Sequence, residues 1–132
     1  MKAFKFDRKL LAQKISDTCP EIVFALLHGS AKDGKVKASS DIDIAIYLDK
    51  KTEKPFDVCS AVYRVVSTVI SSNDPDVGVL NDAEPVYRFE ALKGYLLFVR
   101  DEEAYHRFFS VTCREYESQM IDYKKQKQYR NE

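Results

Sequence analysis

Two aspartates one residue apart, Asp41 and Asp43, head an otherwise apolar run through Leu48 and constrain how that run can sit in a sheet. Side chains on a strand alternate with period two. Both carboxylates therefore share a face with Ala45 and Tyr47, while Ile42, Ile44, Ile46 and Leu48 face the core. Setting like charges beside a core is costly unless cations neutralise them. A carboxylate pair offers hard oxygen ligands, which suit magnesium shared with phosphate oxygens. Upstream, the apolar run Ile22 to Leu27 leads directly into His28-Gly29-Ser30, and ten residues separate Ser30 from Asp41. Gly29-Ser30 supplies a sharp turn with exposed backbone N–H groups after a strand, which is what a phosphate requires. Together the two features indicate a site for a nucleoside triphosphate and a metal. Gly29 would permit close approach, and Ser30 would meet the β- and γ-phosphates through hydroxyl and backbone. Four fixed positions at this spacing arise by chance on the order of a few times per thousand chains of this length. The plainer reading has Asp41 and Asp43 capping a loop and facing solvent.

Around these motifs the chain alternates between helical and extended patterns. Asp7 is placed to cap a first helix through about Thr18, with Leu10 or Leu11, Ile15 and Cys19 on its inner side, and Pro20 ends it. Strand patterns cover Ile22 to Leu27 and Asp41 to Leu48, with a short helix from Ser30 and a lysine-rich loop from Gly34 to Ser39. After the charged loop from Asp49 to Pro55, Val58, Val62, Val65, Val66 and Val69 recur at helical spacing within Phe56 to Ser71. A strand over Val77 to Leu80, a helix over Pro85 to Leu92 and a strand over Tyr95 to Val99 follow. Glu102 to about Tyr129 forms one long helix, carrying Tyr105, Phe108, Phe109, Thr112, Tyr116, Met120 and Tyr123 at three- and four-residue steps. This order predicts an α/β fold (α+β in some schemes), a mixed sheet flanked by helices.

Leu27-His28-Gly29-Ser30-Ala31-Lys32-Asp33-Gly34 followed by Ser40-Asp41-Ile42-Asp43 resembles the signature of the DNA polymerase β-like nucleotidyltransferases. It is most similar to their short branch, the minimal nucleotidyltransferase (MNT) antitoxins paired with HEPN toxins. The resemblance runs from about Ile22 to the end of the chain and includes Asp74-Pro75-Asp76-Val77-Gly78-Val79-Leu80-Asn81. There the family places a third carboxylate on a strand, which makes Asp76 the third acid. Two departures stand out: many relatives carry an aspartate where this chain has Val79, and a common pattern has Phe where it has His28. Otherwise Asp76 is a residue of the turn Asn73-Asp74-Pro75-Asp76.

Length and composition bound the remaining possibilities. With 132 residues the chain is expected to form one domain. Residues 1–100 would be the catalytic core and 101–132 a C-terminal helix with a basic tail. Lys plus Arg and Asp plus Glu number 21 each, so no net field favours nucleic acid or membrane. Cys19, Cys59 and Cys113 are odd in number and show no metal or redox spacing, which favours a reduced, cytoplasmic setting. Cys59 and Cys113 fall in apolar helical contexts and are expected to be core residues. No apolar stretch is long enough to span a bilayer, and the N-terminus has no signal-peptide pattern.

The resemblance implies a Mg²⁺-dependent transferase that moves AMP from ATP to a protein hydroxyl. The acceptor it implies is a tyrosine of a cognate HEPN ribonuclease toxin, so the chain would act as antitoxin in a hetero-oligomer. Asp41, Asp43 and Asp76 would be the catalytic carboxylates and metal ligands, with Asp76 nearest the acceptor. Gly29 and Ser30 would bind the nucleotide. Lys32, Lys35 and Lys37 fit a solvated loop as well as a triphosphate contact, and His28 fits a structural strand-end residue. The long aromatic helix would pack on the sheet with its first half. Its polar second half would be a frayed tail or a docking arm. Two alternatives stay open: the same chemistry on an RNA end or small molecule, and a non-catalytic antitoxin that inhibits by occlusion.

Overall fold

The computed structural model describes residues 3–37, 41–70 and 74–130. Its centre is the apolar pair β2 (Ile22–His28) and β4 (Ile42–Leu48), which run antiparallel with Leu26 opposite Ala45 and His28 opposite Asp43. Strand β5 (Pro75–Val79) adds parallel to β4, and β6 (Tyr95–Val99) adds antiparallel to β2. The sheet order is β5-β4-β2-β6, so the expected mixed sheet is present.

Helices cover both faces. On one side α1 (Arg8–Thr18) and α2 (Pro55–Val69) bring Leu11, Ile15, Val58, Val62 and Val66 onto Ile42, Ile44, Ile46 and Leu48. The i, i+4 valines make a continuous stripe that fits a sheet. Asp7 caps α1 as expected, its carboxylate accepting from the backbone N–H groups of Lys9 and Leu10. Leu11 rather than Leu10 takes the inner position of that helix. On the other side α3 (Pro85–Leu92) and α4 (Glu102–Arg130) cover Phe24, Leu26, Ala45 and Tyr47. Phe24 stacks on Tyr47 at 4.9 Å and meets Tyr105 of α4 edge-on at 5.0 Å. The face that carries the aspartates is therefore apolar further along β4.

The first half of α4 packs as expected, with Phe108 and Thr112 buried and Tyr116 stacked on Phe89 of α3. Its second half leaves the body of the protein. Ile121, Tyr123 and Tyr129 are exposed there, and Lys127 and Arg130 occupy the last turn, where cations favour the helix C-terminus. No helix among the described residues is long and apolar enough to cross a membrane.

Four local expectations are corrected. Lys35–Lys37 is not loop but strand β3, paired antiparallel with β1 (Ala3–Lys5). Strands of three residues are too short to show alternation. What fixes them is the burial of Val36 and the Phe6 N–H donating to the Gly34 carbonyl at 2.9 Å. The helix expected from Ser30 is a single 3-10 turn, Gly29–Ala31. Strand β5 runs Pro75–Val79 and not Val77 to Leu80, which puts Asp76 in the strand, as the resemblance implied, and not in the alternative turn. Ser39, Ser40, Ser71 and Asn73 lie outside the described residues. Cys59 and Cys113 are half-buried rather than core, whereas Cys19 is buried, and all three are free thiols.

Past β5, Asn81 closes the far end of β4. Its side-chain amide donates to the Leu48 carbonyl at 2.8 Å and its carbonyl accepts from the Leu48 N–H at 2.9 Å. Asn81→Ala would leave both backbone groups of Leu48 without a partner. It is expected to destabilise the fold by about 2 kcal/mol, as measured by urea unfolding.

Candidate active site

The register brings two of the three predicted acids, Asp43 and Asp76, side by side. Asp43 pairs with Asp76 across the parallel β4–β5 ladder and with His28 across the antiparallel β2–β4 ladder. Side chains at paired positions point to one face, so Asp76, Asp43 and His28 form a row across three strands. Asp41 stands at the lip of β4, two residues before Asp43, and is exposed, as is Asp76. Asp43 is half-buried. Burial raises the pKa of its carboxyl, and the nearby charges of Asp76 and Asp41 raise it further against the opposing pull of His28.

The turn after β2 presses on the same carboxylate. Gly29 has φ +72°, and a Cβ there would lie 2.3 Å from Asp43 Oδ2. Only glycine lets the backbone come this close in the left-handed region. Ser30 follows, exposed, within the 3-10 turn. Lys32 and Lys35 are exposed. The Lys32 carbonyl accepts from the Arg8 guanidinium at 3.0 Å, which ties this segment to α1.

His28, left out of the predicted acid set, flanks Asp43 directly. Burial lowers the pKa of its imidazole, and the carboxylates of Asp43, Asp76 and Glu90 act in the opposite direction. Tyr87 of α3 reaches the same row, with its hydroxyl 3.5 Å from His28 Nε2. Nothing local in the sequence marks Tyr87, which is separated from His28 by 59 positions. Gly78 inside β5 was the available signal, because a glycine within a strand often marks close approach of another group. Among the described residues, no three Asp, Glu, His or Cys side chains stand at metal-ligating spacing. Asp43 and Asp76 are neighbours across the ladder, and exposed Asp41 precedes the strand without closing a three-carboxylate site with them.

The family model described as polymerase beta, nucleotidyltransferase matches residues 11–103, from α1 into the first turn of α4. The chain belongs to this nucleotidyltransferase family. Of the landmarks above, the Gly29 turn, the Asp41-Asp43 strand and Asp76 all fall inside the matched segment. No curated protein matches the chain. Solved structures similar to this nucleotidyltransferase include a toxin–antitoxin with AMP-PNP, at TM-score 0.69 and 18% identity over 95% of this chain and 97% of that one. Another is a tri-AMPylated Shewanella oneidensis HEPN toxin in complex with MNT antitoxin, at TM-score 0.63 and 18% identity over 95% and 98%. A third, the toxin–antitoxin MntA-HepT, gives TM-score 0.63 and 17% identity over 94% of each chain. At these identities the likeness is one of fold.

Proposed function

We propose that this nucleotidyltransferase moves AMP from ATP to a hydroxyl of a separate protein, a tyrosine of a cognate HEPN toxin, and thereby acts as its antitoxin. The observation that carries the reading is the pairing of Asp43 with Asp76 beside the Gly29 turn. Two paired carboxylates and a glycine-opened backbone stand at the end of a strand, with Asp41 two residues before Asp43. The solved structures just described, with an ATP analogue in one and an AMPylated HEPN toxin in another, support the donor and the acceptor class.

The donor set fits a hard divalent cation. Asp43 is a carboxylate whose charge is opposed by burial and by two acidic neighbours, and a cation would relieve that opposition. A paired carboxylate couple suits Mg²⁺, which is commonly held by one or two carboxylates and keeps its other positions for phosphate oxygens and water. Asp41, Asp43 and Asp76 would hold it, and when bound it would neutralise charge on the triphosphate and lower the pKa of the attacking hydroxyl. Gly29 and Ser30 would receive the β- and γ-phosphates through backbone N–H and hydroxyl groups. Asp76, exposed on edge strand β5, would stand nearest the incoming acceptor.

Intact mass of the HEPN partner encoded beside this gene, after incubation with this protein, ATP and Mg²⁺, tests the reading. Gains of one or more AMP units are expected. Tight binding without any mass gain would favour inhibition by occlusion. Transfer to an RNA end or a small molecule in place of the partner would leave the chemistry and replace the acceptor.

A further inference from the structure

Between the acid row and the apolar core, the sheet offers a shallow trough. Gly78 of β5 pairs with Ala45 of β4, which in turn pairs with Leu26 of β2, so two of the three positions bear almost no side chain. Tyr87, in the first turn of α3, is half-buried and packs against the cluster of Leu26, Ala45 and Leu80. Its hydroxyl rests on Gly78 so closely that a Cβ there would lie 2.1 Å from the phenolic oxygen. Its ring meets His28 edge-on at 5.6 Å, and the hydroxyl stands 3.5 Å from Nε2. A second glycine stands against the base of the same residue. A Cβ on Gly94, in the turn between α3 and β6, would lie 2.8 Å from the His28 Cβ and 2.4 Å from the Leu27 carbonyl oxygen. His28 is thus bounded by Tyr87, by the Gly94 backbone and by Asp43 across the ladder.

We infer that Tyr87 is a positioning residue of the carboxylate row: seated on Gly78 and edge-on to His28, it fixes the imidazole that flanks Asp43. Hydrogen bonds at such sites are often long in the free protein and tighten when substrate is bound, so 3.5 Å is within reach of a working contact. The phenol remains protonated, because burial and the charges of Asp76 and Asp43 oppose its ionisation. It therefore meets His28 as a neutral hydroxyl, which donates to Nε2 in one imidazole tautomer and accepts from it in the other. The kinetic consequence rests on the transferase reading above, whereas the state of His28 does not.

Two variants remove the contact by different routes. Tyr87→Phe deletes the hydroxyl, and Gly78→Ala leaves it in place but pushes the ring end out of the trough. With ATP, Mg²⁺ and the HEPN partner, Tyr87→Phe is expected to lower kcat about tenfold with KM for ATP within about twofold. Gly78→Ala should do the same, and the double variant should be no worse than about twofold below either single one, because both remove one interaction. In parallel, ¹⁵N NMR of the His28 ring should show one tautomer in the unmodified protein and a mixture in Tyr87→Phe. An unchanged tautomer ratio overturns the inference, as does an unchanged kcat in a protein that transfers AMP. If the unmodified protein transfers nothing, the transferase reading falls and the NMR comparison alone decides the role of Tyr87.

Discussion

Asp41→Ala/Asp43→Ala is expected to abolish AMP transfer, by about a thousandfold or more, while leaving the fold and partner binding intact. Charge neutralisation by a bound divalent ion contributes several kcal/mol to such reactions, and about 4 kcal/mol corresponds to a thousandfold in rate. Both acids belong to the proposed set, and neither supports the core. Asp41 is exposed outside the ladder, and Asp43 sits at the open end of β4 in a setting that opposes its charge. The melting temperature should therefore not fall. Transfer is measured by the mass gain of the HEPN partner and binding by calorimetry. If the variant still neutralises the partner in cells, occlusion is the mechanism and the carboxylates are incidental. If neutralisation is lost while binding persists, inhibition runs through the acids.

Much of this arrangement was legible because its parts are local. Alternation along Asp41 to Leu48 places both acids on one face without any knowledge of the partner strands, and the apolar run into Gly29-Ser30 marks a strand followed by a turn. The long C-terminal helix announces itself by its aromatic spacing. What was not legible depends on pairing between distant segments. No periodicity reveals that β1 and β3 join, since each has three residues and the bond that anchors them links Phe6 to Gly34. His28 looks like an ordinary strand-end residue until the β2–β4 register sets it opposite Asp43. Tyr87 looks like one more aromatic on a short helix until Gly78 lets it onto the sheet. Conversely, Asp76 had a plausible life as a turn residue, and only the parallel pairing of β5 with β4 puts it beside Asp43.

Gly29→Ala is expected to reduce transfer about a hundredfold at a small cost in stability, and the imbalance between the two is the informative part. Backbone strain accounts for the stability loss: a non-glycine residue in the left-handed region costs about 1–2 kcal/mol. The added methyl does something different, because its clash is with the far end of a side chain, Asp43 Oδ2, and not with backbone. The carboxylate can rotate away, which preserves the fold but removes an oxygen from the acid set and places a methyl where a phosphate would approach. Displacements of about 1 Å in reacting groups can cost a hundredfold. Gly34→Ala is the matching control. Gly34 also has positive φ, at +82°, so the backbone penalty is similar, but its Cβ would meet Arg8 Nε at 3.3 Å and leave Asp43 untouched. Thermal melts should rank the two variants close together, and transfer assays should separate them widely. Equal transfer by both would mean that the closeness of Gly29 to Asp43 serves packing alone. The phosphate-binding role of the turn would then have to be given up.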